Sequence, residues 1–151
     1  MHFVGVNPDA SVTASALIEA ARSFVGTPFL HQGRTRHGLD CIGLVIASLM
    51  KVGVVFYEEP PTYARLPHGD SLLAPLRSYC TPVDEPEPGV VLAMRFRREV
   101  THVALLTGPT IIHAYEGARR TIEHCYDRRW RSLTVGQWRL PGVLYEVAAR
   151  V

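Results

Sequence analysis

Apolar side chains recur at three- and four-residue steps from Ala14 through Leu17, Ile18 and Ala21 to Phe24 and Val25. That period predicts an amphipathic helix, capped by Ser11 or Thr13 and stopped at Gly26 with Pro28 just beyond. Residues 29–39, with Gly33 and Gly38, read as a loop. From Cys41 to Val52 the chain is apolar nearly all round (Ile42, Leu44, Val45, Ile46, Ala47, Leu49, Met50), the pattern of a helix inside a fold. Asp40 suits its N-cap and Gly53 its stop. Glu58-Glu59-Pro60-Pro61 predicts a loop, and Ser71 to Tyr79 a third, shorter helix. Pro82, Pro86 and Pro88 then keep the stretch from Thr81 to Gly89 out of helices and inner strands, so it reads as an extended connector.

Past that connector the pattern changes to short β-branched runs at 90–94, 101–106, 110–115, 120–124 and 138–143. Turn residues such as Gly108-Pro109 and Glu116-Gly117 separate them. The fold class is therefore α+β: helices first, then a small antiparallel sheet. With 151 residues, 47% of them apolar, the chain is expected to form one domain over 1–151, with a core from about 14 to 143. A chain of this length buries roughly 68–70% of its unfolded surface without staples.

Composition narrows the function classes. A net charge of +2 gives no field that demands nucleic acid, and no run approaches the roughly 20 apolar residues of a membrane span. Arg95, Arg97 and Arg98, and then Arg119, Arg120, Arg128, Arg129 and Arg131, read first as solvated faces, with a cationic docking surface as the other reading. Three cysteines are too few, and odd in number, for a disulfide scaffold. Met1 to Asp9 carries neither a basic leader nor a long apolar run, so the expectation is a chain made in the cytoplasm and carried elsewhere if it acts elsewhere.

The chemistry-bearing residues are Cys41, His102 and His113. Cys41 opens the inner helix, where unpaired N–H groups and the positive end of the dipole favour the thiolate, the nucleophilic form. Gly43 leaves room for something to approach the sulfur. A buried, inert thiol fits the same position. His102 and His113 lie in consecutive strand runs joined by a tight turn, and an even turn would put them on one face of a hairpin. One imidazole can then orient the other, as a thiol's activating base requires. Half-buried structural histidines are the alternative. His31, His37, Cys41, His102, His113, His124 and Cys125 are metal-ligand types in sufficient number, but no pair has zinc-ribbon or His-Glu-x-x-His spacing. No metal and no other cofactor is expected. Cys80 and the His124-Cys125 pair read as packing residues.

Gly26-Thr27-Pro28-Phe29 with Gly33, Asp40-Cys41-Ile42-Gly43-Leu44-Val45, Pro88-Gly89, His102-Val103-Ala104 and Ile112-His113-Ala114 together resemble the NlpC-type cysteine peptidases. These are papain-like enzymes that cut the peptide stems of bacterial cell walls. The resemblance implies a papain-like fold, with Cys41 as nucleophile, His102 as base and His113 as the third, polar residue. It also places Phe29 and Asp40 at the substrate site, where the family commonly has Tyr for Phe29 and Ser for Ile42. Those two hydroxyls and the Asp help some members recognise the free amine of a stem. Gln32 and His31, near the Cys in sequence, are candidates for a second oxyanion donor. Thr27-Pro28-Phe29 with His31-Gln32-Gly33 is similar to the branch carried by tailed phages and gene transfer agents. That implies peptidoglycan stems as substrate, tail-tip or hub proteins as partners, and action from the virion in the periplasm or wall. A non-catalytic tail or adaptor module of the same fold, and an amidase or acyltransferase of the same superfamily, are the alternatives.

Overall fold

A computed structural model describes residues 12–54 and 72–145; the residues before Val12, Ser11 among them, the 58–61 loop and Ser71 lie outside them. The first helix, α1, spans Ala14–Arg22 after a two-residue strand, β1, at Val12–Thr13. Thr13 caps it, its Oγ1 accepting from the Ala16 N–H at 3.0 Å. The helix ends at Arg22 rather than Gly26. The chain then winds through turns, and the Gly26 N–H donates to the Thr121 carbonyl of the sheet at 2.9 Å. The 29–39 loop contains a small hairpin of β2, Arg34–Thr35, and β3, Gly38–Leu39. The second helix, α2, spans Cys41–Lys51. Its Leu44 and Leu49 are buried against Leu17 and Ala21 of α1.

The third helix, α3, runs Leu73–Tyr79 and leads into β4, Thr81–Val83. The remaining elements are β5 (Val91–Phe96), β6 (Glu99–Leu106), β7 (Thr110–Tyr115), β8 (Arg120–Cys125), α4 (Arg128–Leu133), β9 (Thr134–Arg139) and β10 (Val143–Leu144). Strands β4 to β9 form one six-stranded sheet in the order β4-β9-β5-β6-β7-β8, each neighbour antiparallel. Pro82 is tolerated because β4 is an edge strand, where a missing N–H costs no ladder bond. β1 and β10 pair in parallel beside the sheet.

The sheet is covered on both faces. Val91, Ala93, Val103, Leu105, Ile112 and Ala114 pack on the side of α1 and α2. Val90, Leu92, Met94, Ala104, Leu106 and Ile111 pack on the other, with Tyr126 and Trp130. Two buried faces explain why these strands read as nearly continuous apolar runs rather than alternating ones. The helix α4 was not foreseen. At six residues it is too short to show a helical period, and Asp127 makes it by capping the Trp130 N–H at 3.1 Å. Gly89 explains the Pro-Gly element: its φ is +92°, and a Cβ there would come 2.7 Å from Ala14 Cβ of α1.

Candidate active site

Asp40 builds the entrance to α2. Its Oδ1 accepts from the Gly43 N–H at 2.7 Å, closing the first turn, and its Oδ2 accepts from the backbone N–H of Gln32 at 2.7 Å. The Arg34 guanidinium lies 3.3 Å from Oδ1, and His31 Nδ1 lies 4.0 Å from Oδ2. Asp40 is almost fully buried, and it pins the 31–34 loop onto the start of the helix. Gln32 takes a left-handed backbone (φ 61°) to make that contact. Gly43 serves the same seam. A Cβ there would lie 1.9 Å from the Gly33 carbonyl oxygen, so the space beside this glycine holds the loop rather than an approaching ligand. Phe29 packs against the helix-side core together with Cys41 and Ile42.

Cys41 is the first residue of α2 and is partly buried. Its sulfur faces three backbone N–H groups: its own, that of Ile42, and that of Val103 on β6. The Val103 contact follows from the sheet. β6 and β7 pair only through Leu105 with Ile112 and Leu106 with Ile111, so the ladder opens short of Val103. The thiol, coming from the helix side, sits at that opening, one residue from His102. Among the described residues, no hydrogen bond joins the sulfur to the His102 ring. Burial, then the charge of Asp40, push the thiol up to about 12, and the three N–H groups offset this only in part. The helix start was expected to favour the thiolate; desolvation outweighs it here.

His102 and His113 alternate out of phase with Val103, Leu105, Ile112 and Ala114, so they share the sheet face of Ala104, Leu106 and Ile111. They are 5% and 0% exposed. His102 Nε2 and His113 Nδ1 are 2.6 Å apart. The turn is even, the condition for a shared face, and the β6–β7 register sets the two residues diagonally, which long side chains can bridge.

Three aromatic rings enclose the pair. Phe96 stacks on His102 at 4.9 Å, Tyr115 stacks on His113 at 5.4 Å, and Trp130 meets His113 edge-on at 5.0 Å. With water excluded, burial lowers His102 to about 3, and burial, reinforced by the two neighbouring imidazoles, lowers His113 to about 2. Both rings are therefore neutral at pH 7, and so is the thiol. Such a set can pass one proton from sulfur to imidazole as the sulfur attacks, with no standing ion pair.

His124 extends the arrangement. Its Nε2 lies 2.8 Å from His113 Nε2, and its Nδ1 lies 2.9 Å from the Cys125 carbonyl oxygen. Sequence reasoning gave His124 a packing role. The signal that finds it is the equal step of eleven residues from 102 to 113 to 124, one diagonal per strand across β6, β7 and β8. Among the described residues no cluster of three or more His, Cys, Asp or Glu side chains converges on a metal position. The imidazoles run in a line and are spent on one another. Nor is any helix among the described residues long and apolar enough to cross a membrane. The Arg residues at 95, 97, 98, 119, 120, 128, 129 and 131 are exposed, which both readings of them require.

Comparison with known proteins gives the family. The profile of the NlpC/P60 family matches residues 26–139, which takes in the Asp-Cys helix start and all three histidine strands. This chain belongs to the NlpC/P60 family. A comparison with curated proteins finds no match. Solved structures do match. The NlpC/P60 domain of the peptidoglycan hydrolase SagA superposes with a TM-score of 0.61 at 19% identity, over 85% of this chain and 100% of that one. An NlpC/P60 family protein from Bacillus cereus gives 0.65 at 20% identity, over 86% of this chain and 41% of that one. The peptidoglycan hydrolase RipB from Mycobacterium tuberculosis gives 0.56 at 19%, over 83% and 63%. The chain thus spans less than two thirds of the latter two proteins. At these identities the likeness establishes the NlpC/P60 fold, in which helices pack on a small antiparallel sheet as the sequence implied.

Proposed function

We propose that this NlpC/P60 chain is a cysteine endopeptidase that hydrolyses the peptide stems of bacterial peptidoglycan. The observation that carries the reading is the sulfur of Cys41 at the opening of the β6–β7 ladder, one residue from an imidazole already paired with a second. Family membership supports it, and two of the matched structures are peptidoglycan hydrolases.

In this reading Cys41 Sγ adds to the carbonyl carbon of a stem peptide bond while its proton passes to His102. The oxyanion is held by the Cys41 N–H at the helix start. His102 then gives the proton to the departing amine, leaving a thioester. Water adds to the thioester, with His102 taking its proton, and the acid leaves as the thiol re-forms. His113 orients the His102 ring throughout.

Asp40 refines the substrate class. Both its oxygens are committed to Gly43, Gln32 and Arg34. Phe29 and Ile42, for their part, carry no hydroxyl to help hold a free stem amine. An interior stem bond is therefore the proposed target. The 27–33 loop resembles that of the tail-associated branch, and on that ground we place the protein at the tail tip of a phage or phage-like particle, acting in the periplasm or wall.

Digestion of purified peptidoglycan, followed by mass spectrometry of the products, tests the assignment. The expected products are stems cut within the peptide, with a new amine and a new carboxylate, on uncut glycan. Cleaved glycan with intact stems, or cleavage confined to stems with a free amino terminus, contradicts it.

A further inference from the structure

We propose that His124 is a positioning residue: through His113 it fixes which nitrogen of His102 is bare, and so which one can take the proton from the thiol. The inference rests on the endopeptidase reading only for its consequence on rate; the order of protons along the three rings does not depend on it.

The Cys125 carbonyl can only accept, so the proton between it and His124 Nδ1 belongs to the ring. A neutral His124 then has a bare Nε2, which accepts from His113 Nε2–H. Neutral His113 is left with a bare Nδ1, which accepts from His102 Nε2–H. Neutral His102 is left with a bare Nδ1. One backbone carbonyl thus orders three tautomers in series, and the last ring ends as a base at the nitrogen not spent on His113. Without the His124 acceptor, His113 can carry its proton on Nδ1 instead. It would then donate to His102 Nε2 and force the His102 proton onto Nδ1, where it blocks uptake from the thiol.

Trp130 supports the arrangement: it lies against both His113 and His124, with ring centroids 5.0 and 4.9 Å away, and holds the last two imidazoles in line. His124 itself is only partly buried and touches no reacting group, so its effect must travel through His113.

The test uses the full chain labelled with 15N at histidine. In the wild-type spectrum, His124 Nδ1, His113 Nε2 and His102 Nε2 are expected to carry the protons, with His102 Nδ1 bare. A protonated His102 Nδ1 or a bare His124 Nδ1 overturns the proposal, whether or not any variant folds and whether or not the protein hydrolyses peptidoglycan. His124→Phe keeps a ring without an acceptor. It is expected to populate the other His102 tautomer and to lower kcat on purified peptidoglycan about tenfold with KM unchanged, the effect of losing one oriented hydrogen bond. His124→Gln, whose amide oxygen can accept from His113, is expected to restore both. Unchanged tautomers and kcat in His124→Phe overturn the proposal. So does a loss of activity that His124→Gln fails to restore, which would mark a packing role. Ordered tautomers in a protein that leaves peptidoglycan uncut would instead refute the endopeptidase reading alone.

Discussion

Replacing Cys41 with alanine is expected to reduce the release of soluble fragments from purified peptidoglycan to that of buffer alone. The proposed reaction passes through a bond to this sulfur, and the other cysteines offer no substitute: Cys80 follows α3 and Cys125 lies exposed at the end of β8. The fold should tolerate the change. Cys41 is only partly buried, and the helix cap is made by the Asp40 side chain, which alanine leaves in place. Thermal unfolding of the variant near the wild-type temperature, alongside the lost activity, separates chemistry from stability. Serine is no rescue. A hydroxyl is a far weaker acid than a thiol, and a base held near 3 by burial gains little by taking its proton.

Replacing His102 with glutamine is the second large effect, a fall in kcat of about 10²- to 10⁴-fold, the usual contribution of a positioned base. KM should change little, because the ring is enclosed by Phe96, Tyr115 and His113 rather than spread along a substrate groove. The wild-type pH profile checks the same assignment. The proposed reaction requires neutral His102 and the Cys41 proton together. Burial lowers His102 from 6.5 to about 3 and raises Cys41 from 9.0 to about 12. The profile of kcat/KM should therefore stay level as pH falls through 6.5 and as it rises through 9.0, and decline only well beyond each. A loss of activity between pH 7 and 6 would mean that His102 titrates as an exposed imidazole and that the enclosure is open in solution.

Much of this architecture was legible in local patterns. The period from Ala14 to Ala21, the all-round apolar run after Cys41 and the β-branched runs after Gly89 each report the burial of one element, and burial is what periodicity measures. The pairing of His102 with His113 was legible too, because an even hairpin turn fixes which faces two strand residues share. What could not be read from the chain depends on where elements meet. Nothing near Cys41 in sequence tells that the β6–β7 ladder opens at Val103 and lets a sulfur reach the sheet. The role of Gly43 came out differently for the same reason, since the carbonyl of Gly33 fills its space from another segment. The rise of the Cys41 thiol is likewise a property of the assembled site: a helix dipole is written in the local sequence, whereas desolvation is not. His124 was passed over because side chains on adjacent strand positions point to opposite faces, which says nothing about what lies diagonally across the next strand.

The account stands or falls on Cys41 being the atom that meets the substrate. A synthetic stem peptide with a chloromethyl ketone in place of the scissile amide, from which the sulfur displaces chloride, addresses that directly when incubated with the protein and located by mass mapping. The expected result is one label per chain, on Cys41 alone, with hydrolysis lost in proportion to labelling and with labelling slowed in His102→Gln. Label on Cys80 or Cys125 with Cys41 untouched, or hydrolysis that persists with Cys41 fully labelled, would contradict it.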